Sequence, residues 1–395
     1  MRNSDGDGGV DVVTDARLDA VFDVVTDARV DAVADARVDA TPDASPGPYV
    51  VSLDVREMAY QFALMSDGTV RARGVAVLGG LGTGQTIEMS PVTIPGLADI
   101  AELVTADGEA TCARSRAGAV WCWGGNDNAT LGVGNDGGDA CDLSGRAVPC
   151  RLHPTRVPGI DDAVALGASS RSVCVARRDG SVWCWGSGAG ALLPGRAEFP
   201  TRFADVSDVA RLWALDWGWM FLLRDGRYTG VGTLASTMIP TGAELDARPD
   251  GIFACYRLPD GTARCVGKNP NGQLGNGSSQ WPARVAVAVD PGLTRMRSLS
   301  AGMYSTCASL EDGTVRCWGS GHGGGLGFTA TETCVGLSGP DECATRPGLV
   351  PGISGVDRVF VGVWGACALR FDHEVWCWGT LGDFRNATMP TRVVW

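Results

Sequence analysis

Cysteine is the residue whose type and spacing carry the most chemistry in this chain. All fourteen cysteines fall into local pairs. Five pairs are ten residues apart (Cys112/Cys122, Cys174/Cys184, Cys255/Cys265, Cys307/Cys317 and Cys367/Cys377), and two are nine apart (Cys141/Cys150 and Cys334/Cys343). A free thiolate would be a nucleophile or a zinc ligand, whereas a bonded pair is a staple. Structural zinc calls for close Cys-x2-4-Cys ligand pairs, which the sequence lacks. A spacing of ten about a central turn sets two residues opposite each other on adjacent antiparallel strands, where Cα atoms lie about 4.5–5.5 Å apart and a disulfide can close. Seven local disulfides are therefore expected, each worth at most about 3 kcal/mol by the chain entropy it removes.

Other catalytic chemistry finds little material. Of three histidines, His373 occupies a turn and His153 and His322 sit in loops, so neither a Ser/His/Asp group nor a His-metal set is indicated. Asn3, Asp5 and Asp7 have the spacing of a calcium loop, but Thr14 stands where the bidentate acid belongs. No catalytic residue, metal or cofactor is expected. A glycoside-acting hydrolase is kept as a minor alternative, because carboxylates can converge from distant segments.

The elements that position these cysteines repeat. The runs CARSRAGAVWCWG from Cys112, CVARRDGSVWCWG from Cys174, CASLEDGTVRCWG from Cys307 and CALRFDHEVWCWG from Cys367 superpose without gaps, and CYRLPDGTARCVG from Cys255 fits the same frame. FALMSDGTVRARG from Phe62 and MFLLRDGRYTGVG from Met220 complete a set of seven. In these two degenerate units both cysteines are lost together, as Phe62 with Ala72 and Met220 with Gly230, which is how bonded pairs are lost. Each unit reads as strand, turn centred on Asp-Gly or an equivalent, strand, Gly-rich loop and a further strand such as Pro154 to Gly159. One such sheet cannot bury both faces and must stack on its neighbours around an axis. The fold class expected is all-β, a seven-bladed β-propeller over residues 49–395, preceded by a disordered Asp-rich tail over 1–48. The two ends of the repeat array should meet in neighbouring or shared sheet structure, since an open ring would expose sheet edges.

The repeats resemble the regulator of chromosome condensation repeat family, seven-bladed propellers related to the β-lactamase inhibitor protein II. The resemblance covers residues 49–395 and includes Asn271-Gly272-Gln273-Leu274-Gly275-Asn276-Gly277, with echoes at Leu81-Gly82-Thr83-Gly84, Leu131-Gly132 and Leu326-Gly327. Where that family often carries His two residues before the Cys-Ala position, this chain has Ala110, Ser172, Phe253, Ser305 and Gly365. The resemblance implies a regulator of the guanine-nucleotide-exchange type as an alternative function.

Recurring residues read as packing and non-recurring ones as candidates for binding. Trp123, Trp185, Trp318 and Trp378, with Trp121, Trp183 and Trp376, recur at fixed positions opposite the cysteine face and are expected to fill the space between blades. Three residues before the first cysteine position the seven units carry Ala59, Glu109, Arg171, Trp217, Ile252, Tyr304 and Trp364, beside the turn that enters a strand. From this set Glu109, Arg171, Trp217, Tyr304 and Trp364 are the candidate ligand-binding residues, the aromatics being of the kind enriched at interfaces; local packing under a loop is the competing account. Trp213 and Trp219 lie near in sequence. Two insertions, Asn126 to His153 and Ser320 to Pro347, serve either binding or stability.

The formal charge is −12, of which eleven Asp against four Arg in residues 1–48 contribute −7. Aspartate recurs every fourth position from Asp11 to Asp43, where like charges repel, so a solvated linker is expected. No basic run appears, which argues against nucleic acid as a partner, and no apolar stretch is long enough for a membrane span. Paired cysteines imply an oxidising compartment, extracellular, periplasmic or at the cell surface. Residues 1–10 carry no apolar signal region, so an export signal or lipid-anchor cysteine upstream of Met1 is expected. The function expected is that of an exported, non-enzymatic, monomeric binding propeller for a protein or cell-surface ligand.

Overall fold

The computed structural model describes residues 47–395 apart from 56–58, 107–109, 135–137, 188–194, 204, 216–217, 233–238, 248–251, 281–282, 337–338 and 381–385. The tail and its Asn3/Asp5/Asp7 run, through residue 46, lie outside the described residues. Pro48–Trp395 form one compact unit.

That unit is a ring of seven antiparallel sheets, each made of strands consecutive in the chain, over 50–93, 100–156, 163–203, 209–232, 244–288, 296–349 and 356–393. Blade 3 shows the plan, with strands Ala163–Ala168, Ser172–Arg177, Val182–Gly186 and Ala197–Phe203 running from the axis to the rim. Blades 2 and 6 gain a fifth strand from the two insertions: Asp139–Leu143 pairs with Arg146–Arg156, and Glu332–Cys334 with Asp341–Leu349. Blade 4 shows three strands among the described residues. The rim strands carry Pro91, Pro154, Pro200, Pro347 and Pro390, which remove ladder donors and blunt the exposed edges.

The second and third strands of each blade hold the cysteine frame. Cys112 sits directly opposite and bonded to Cys122, Cys174 to Cys184, Cys255 to Cys265, Cys307 to Cys317 and Cys367 to Cys377. Their Cα atoms are 4.0–4.1 Å apart, which corrects the wider spacing expected from the sequence: a staple across one rung draws the two strands together. Cys141–Cys150 and Cys334–Cys343 staple the inserted hairpins. No cysteine is free. In the degenerate units the same register pairs a large residue with a small one, Phe62 with Ala72 and Met220 with Gly230, so volume replaces the bond.

The turns between these strands share one device. Asp67, Asp179, Asp260 and Asp312 each accept the N–H and hydroxyl of the residue two further on (Thr69, Ser181, Thr262, Thr314) at 2.6–2.9 Å. The hydroxyl bond, then the backbone bond, holds each carboxyl below its ordinary range.

The core lies between blades. Three seams set the cysteine side of one blade against the recurring tryptophan of the next: Cys112 and Cys122 meet Trp185, Cys255 and Cys265 meet Trp318, and Cys307 and Cys317 meet Trp378. Blade 4 lacks that tryptophan, and there Cys174 and Cys184 pack with Trp219 and Phe221 instead. Trp123, Trp185, Trp318 and Trp378 are fully buried, as their recurrence implies. Their indole N–H groups reach back to loop carbonyls of the preceding blade, Gly80, Thr130, Gln273 and Gly325, at 2.8–3.0 Å. Against each ring lies a left-handed glycine of the same loop, Gly82, Gly132, Gly275 or Gly327. A Cβ there would stand 2.6–3.0 Å from indole atoms, so the Leu-Gly loop and the tryptophan are two halves of one contact.

The ring closes by side-chain packing. The first strand, Val50–Asp54, stays in blade 1 and the last, Asn386–Val393, in blade 7. Val50, Leu53, Ala63 and Met65 pack on Cys367, Leu369, Val375 and Cys377. Tyr49 stacks on His373 with ring centroids 3.7 Å apart. The ends therefore meet in neighbouring sheets, with no strand shared.

Candidate functional site

Because the strands of a blade alternate in direction, the loops joining first to second and third to fourth strands emerge on one face of the ring. The Asp-Gly turns and the blade-to-blade connections emerge on the other. The five described positions three residues before the first cysteine position, Ala59, Arg171, Ile252, Tyr304 and Trp364, belong to the first face, and so do the described parts of both insertions. A sequence offset thus becomes a shared surface.

On that face the structure brings together two of the five candidates. Tyr304 of blade 6 and Trp364 of blade 7 stack with centroids 4.6 Å apart and planes 24° from parallel. Both are half-buried. His322, from the Gly-rich insertion of blade 6, lies over Trp364 at 4.4 Å, and its side chain is 62% exposed. Offset aromatic stacking of this kind is worth about 0.5–1.5 kcal/mol beyond the area it buries. Arg171 stands on blade 3, exposed. Ala59 and Ile252 are half-buried at the equivalent positions of blades 1 and 5. Glu109 and Trp217 lie outside the described residues. Trp219 is buried in the seam between blades 3 and 4, and Trp213 is half-buried against Tyr228. The disulfides are buried staples within the blades, Cys174–Cys184 below Arg171 among them, and they hold the face without forming part of it.

A polar group lies beside the aromatic stack. Asp341 Oδ2 accepts the Ser320 hydroxyl and, at 3.1 Å, the Asn271 amide. His322 donates its backbone N–H to Ser320 Oγ at 3.2 Å, and His322 Nδ1 stands 3.9 Å from Asp341 Oδ1. The Ser320 hydroxyl is directed to a carboxylate and the imidazole lies beyond hydrogen-bond reach of that acid, so the three residues do not form a nucleophile–base relay. Among the described residues no three His, Cys, Asp or Glu side chains are grouped to hold a metal. Sequence reasoning set His322 aside as a lone loop histidine. Its place over Trp364 depends on the turn His322–Gly324, where a Cβ on Gly323 would meet Thr380 Oγ1 at 2.6 Å.

A second concavity lies at the inner strands, a cavity of about 230 Å³ bordered by Ser52, Asp54, Asp246, Ser300 and Phe360. Asp54 accepts the Thr105 hydroxyl at 3.3 Å, and Asp246 accepts the Ala301 N–H at 3.1 Å. Among the described residues no helix is long and apolar enough to cross a membrane.

The repeats, the seven sheets and the seam contacts define an RCC1-like seven-bladed β-propeller. The regulator of chromosome condensation (RCC1) repeat matches residues 296–324, the first three strands of blade 6 and the turn bearing His322. Yeast RCC1 (Prp20), solved bound to Kap60, superposes with a TM-score of 0.67 at 16% identity, covering 92% of this chain and 91% of that one. Human WBSCR16 superposes with a TM-score of 0.67 at 16% identity, over 83% and 95% of the two chains. These likenesses establish the fold. In sequence the chain is 26% identical over 338 residues to the E3 ubiquitin-protein ligase HERC2 of Homo sapiens, an alignment covering 76% of this chain and 6% of that protein.

Proposed function

We propose that this chain is an exported, non-enzymatic binding propeller that recognises a protein or cell-surface ligand through the loop face bearing Tyr304, Trp364 and His322. The aromatic stack is the observation that carries the reading. It joins two blades on the face where the long loops emerge, and it combines amphipathic rings with the adjacent Asp341 and Asn271, the mixture that anchors interfaces. Arg171 belongs to the same face and is assigned to its periphery, and Glu109 and Trp217 are candidates by their place in the repeat alignment alone. Seven disulfides support an oxidising compartment, extracellular, periplasmic or cell-surface. The same disulfides weigh against a regulator of the exchange type working in a reducing cytosol. That alternative rests on likeness of fold alone, and fold does not imply function.

The test applies fluorescently labelled full-length chain to intact cells of the source organism. Saturable binding is expected, reduced at least about tenfold by Tyr304→Ala with Trp364→Ala, while circular dichroism and the thermal transition hold. Undiminished binding by the double variant would overturn the assignment of the face.

A further inference from the structure

The polar group beside the aromatic stack lacks a positive charge. Among the described residues, Glu102, Asp162, Asp290, Asp357 and Glu374 are carboxylates with 27–33% of the side chain exposed, and each is paired with an arginine. Asp341 is more buried than any of these, at 20% exposure, and the basic side chain it faces is the His322 imidazole, at 3.9 Å. Its Oδ2 accepts from Ser320 and Asn271, while Oδ1 accepts no hydrogen bond from a described residue.

The seam between blades 2 and 3 shows what Asp341 displaces. Asn128 and Ser187 hold there the places of Asn271 and Ser320: each serine follows the glycine of a Trp-Gly pair, and each asparagine stands three residues before the loop leucine. The Ser187 hydroxyl donates directly to Asn128 Oδ1 at 2.9 Å. In blade 6 the insertion brings in Asp341, which takes both the Ser320 hydroxyl and the Asn271 amide N–H. Asn271 Oδ1, on a side chain only 4% exposed, is left without a donor. Gln273 Nε2 in the same loop is a buried donor without an acceptor, but a neutral amide does not balance a carboxylate. A satisfied hydrogen bond has been exchanged for a part-buried charge and an orphaned acceptor, both of which cost stability. Both deficits, of charge and of a donor, are met by a cation that carries several N–H groups.

We infer, on the reading that the loop face is the binding surface, that it recognises a lysine side chain of a partner protein, with Asp341 Oδ1 accepting the ammonium. His322 joins the acid to the rings: its imidazole lies 4.4 Å from Trp364 and its Nδ1 3.9 Å from Asp341, so carboxylate and aromatic stack fall within reach of one incoming side chain. The faces of aromatic rings attract cations, and Tyr304 and Trp364 stand half-buried beside the acid. The approach is narrow, since Asp341 is only one-fifth exposed, which suits the slender stem and three rotatable donors of lysine rather than the broad guanidinium of arginine. His322, 62% exposed on a turn that includes Gly323 and Gly324, is the side chain displaced as the lysine enters.

The test uses the labelled full chain on intact cells of the source organism. Asp341→Asn should weaken saturable binding about tenfold while its thermal transition holds, and Glu311→Gln, an exposed acid paired with Arg295, should leave binding unchanged. Capping the cells' amines with sulfosuccinimidyl acetate should lower binding of the parent chain to the level of Asp341→Asn and leave that variant's residual binding as it was. The acetylation arm reads the parent chain and so does not depend on the variant's folding. Digestion of the cells with proteinase K should remove binding as well. Equal binding by Asp341→Asn and the parent, or undiminished binding to acetylated cells, would overturn the lysine assignment, whereas the loop face itself falls only if the Tyr304→Ala and Trp364→Ala chain binds undiminished. Binding that is lost on acetylation but resists proteinase K would put the amine on a lipid or a sugar and overturn the protein partner.

Discussion

Four seams of the ring carry the tryptophan contact and three do not, and the two groups solve the same packing problem by different means. At the seams between blades 1 and 2, 2 and 3, 5 and 6, and 6 and 7, a buried indole is hydrogen-bonded to, and pressed against, a left-handed glycine loop. The tryptophan position is Val231 in blade 4, Val266 in blade 5 and Arg73 in blade 1. There the seams fill with Trp219 and Phe221 against Cys174–Cys184, with Tyr228 and Tyr256, or with the Arg73–Trp395 contact. The sequence carries the same division. Nine residues after the tryptophan position a glycine stands in units 1, 2, 5 and 6 (Gly82, Gly132, Gly275, Gly327), but Pro194, Pro240 and Ala387 stand in units 3, 4 and 7. Loop and indole are gained or lost together because neither has a partner without the other.

The largest effect that tests this comparison is truncation of the indole. Trp318→Ala should cost about 4 kcal/mol in urea unfolding, since it empties a fully buried site and removes one of the two hydrogen bonds to the Gln273 carbonyl, whereas Val231→Ala at an unkeyed seam should cost about 1 kcal/mol. Equal costs would dissolve the distinction between the seams. Next in size is the staple behind the indole. Replacing Cys307 and Cys317 together by Ser should cost about 2–3 kcal/mol, and non-reducing peptide mapping of the parent should find the seven local pairs with no free thiol.

A smaller effect isolates the other half of the contact. Gly275→Ala should cost about 1–2 kcal/mol, because φ is +66° and the new Cβ would stand 2.6 Å from Trp318 Nε1. In the Trp318→Ala background the steric part of that cost should vanish, a coupling readable in a double-mutant cycle.

The smallest effect treats both groups of seams alike. The turn carboxylates Asp67, Asp179, Asp260 and Asp312 are held below the ordinary aspartate value of 3.8, chiefly by the Thr or Ser hydroxyl and then by the backbone N–H. A lowered folded-state value means that their contribution is complete above 3.8 and is lost as pH falls toward the folded values. The thermal transition should therefore drop as pH falls below 3.8, and Thr314→Val should make that drop shallower. An unchanged pH profile in Thr314→Val would show that this hydroxyl does not hold the turn carboxylate down.

Much of the fold was legible because it repeats. Seven copies of one frame supplied their own alignment, and loss of cysteines in pairs exposed the register of the second and third strands before any coordinates. The candidate site was legible only in part. Tyr304 and Trp364 could be aligned as equivalent positions, but nothing in their spacing says that blades 6 and 7 bring them into contact. His322 and Asp341 stand at separate points of the blade 6 insertion and Asn271 in the loop of blade 5, and no local pattern joins them.

The sequence by itself determined the number of blades, the strand pairing within each and the disulfide partners, because these are set by contacts between residues near in the chain. Only the tertiary structure decided which loops share a face and how the ends meet. Those depend on contacts between blades, where chain separation is large and the partner of a side chain is fixed by closure of the ring.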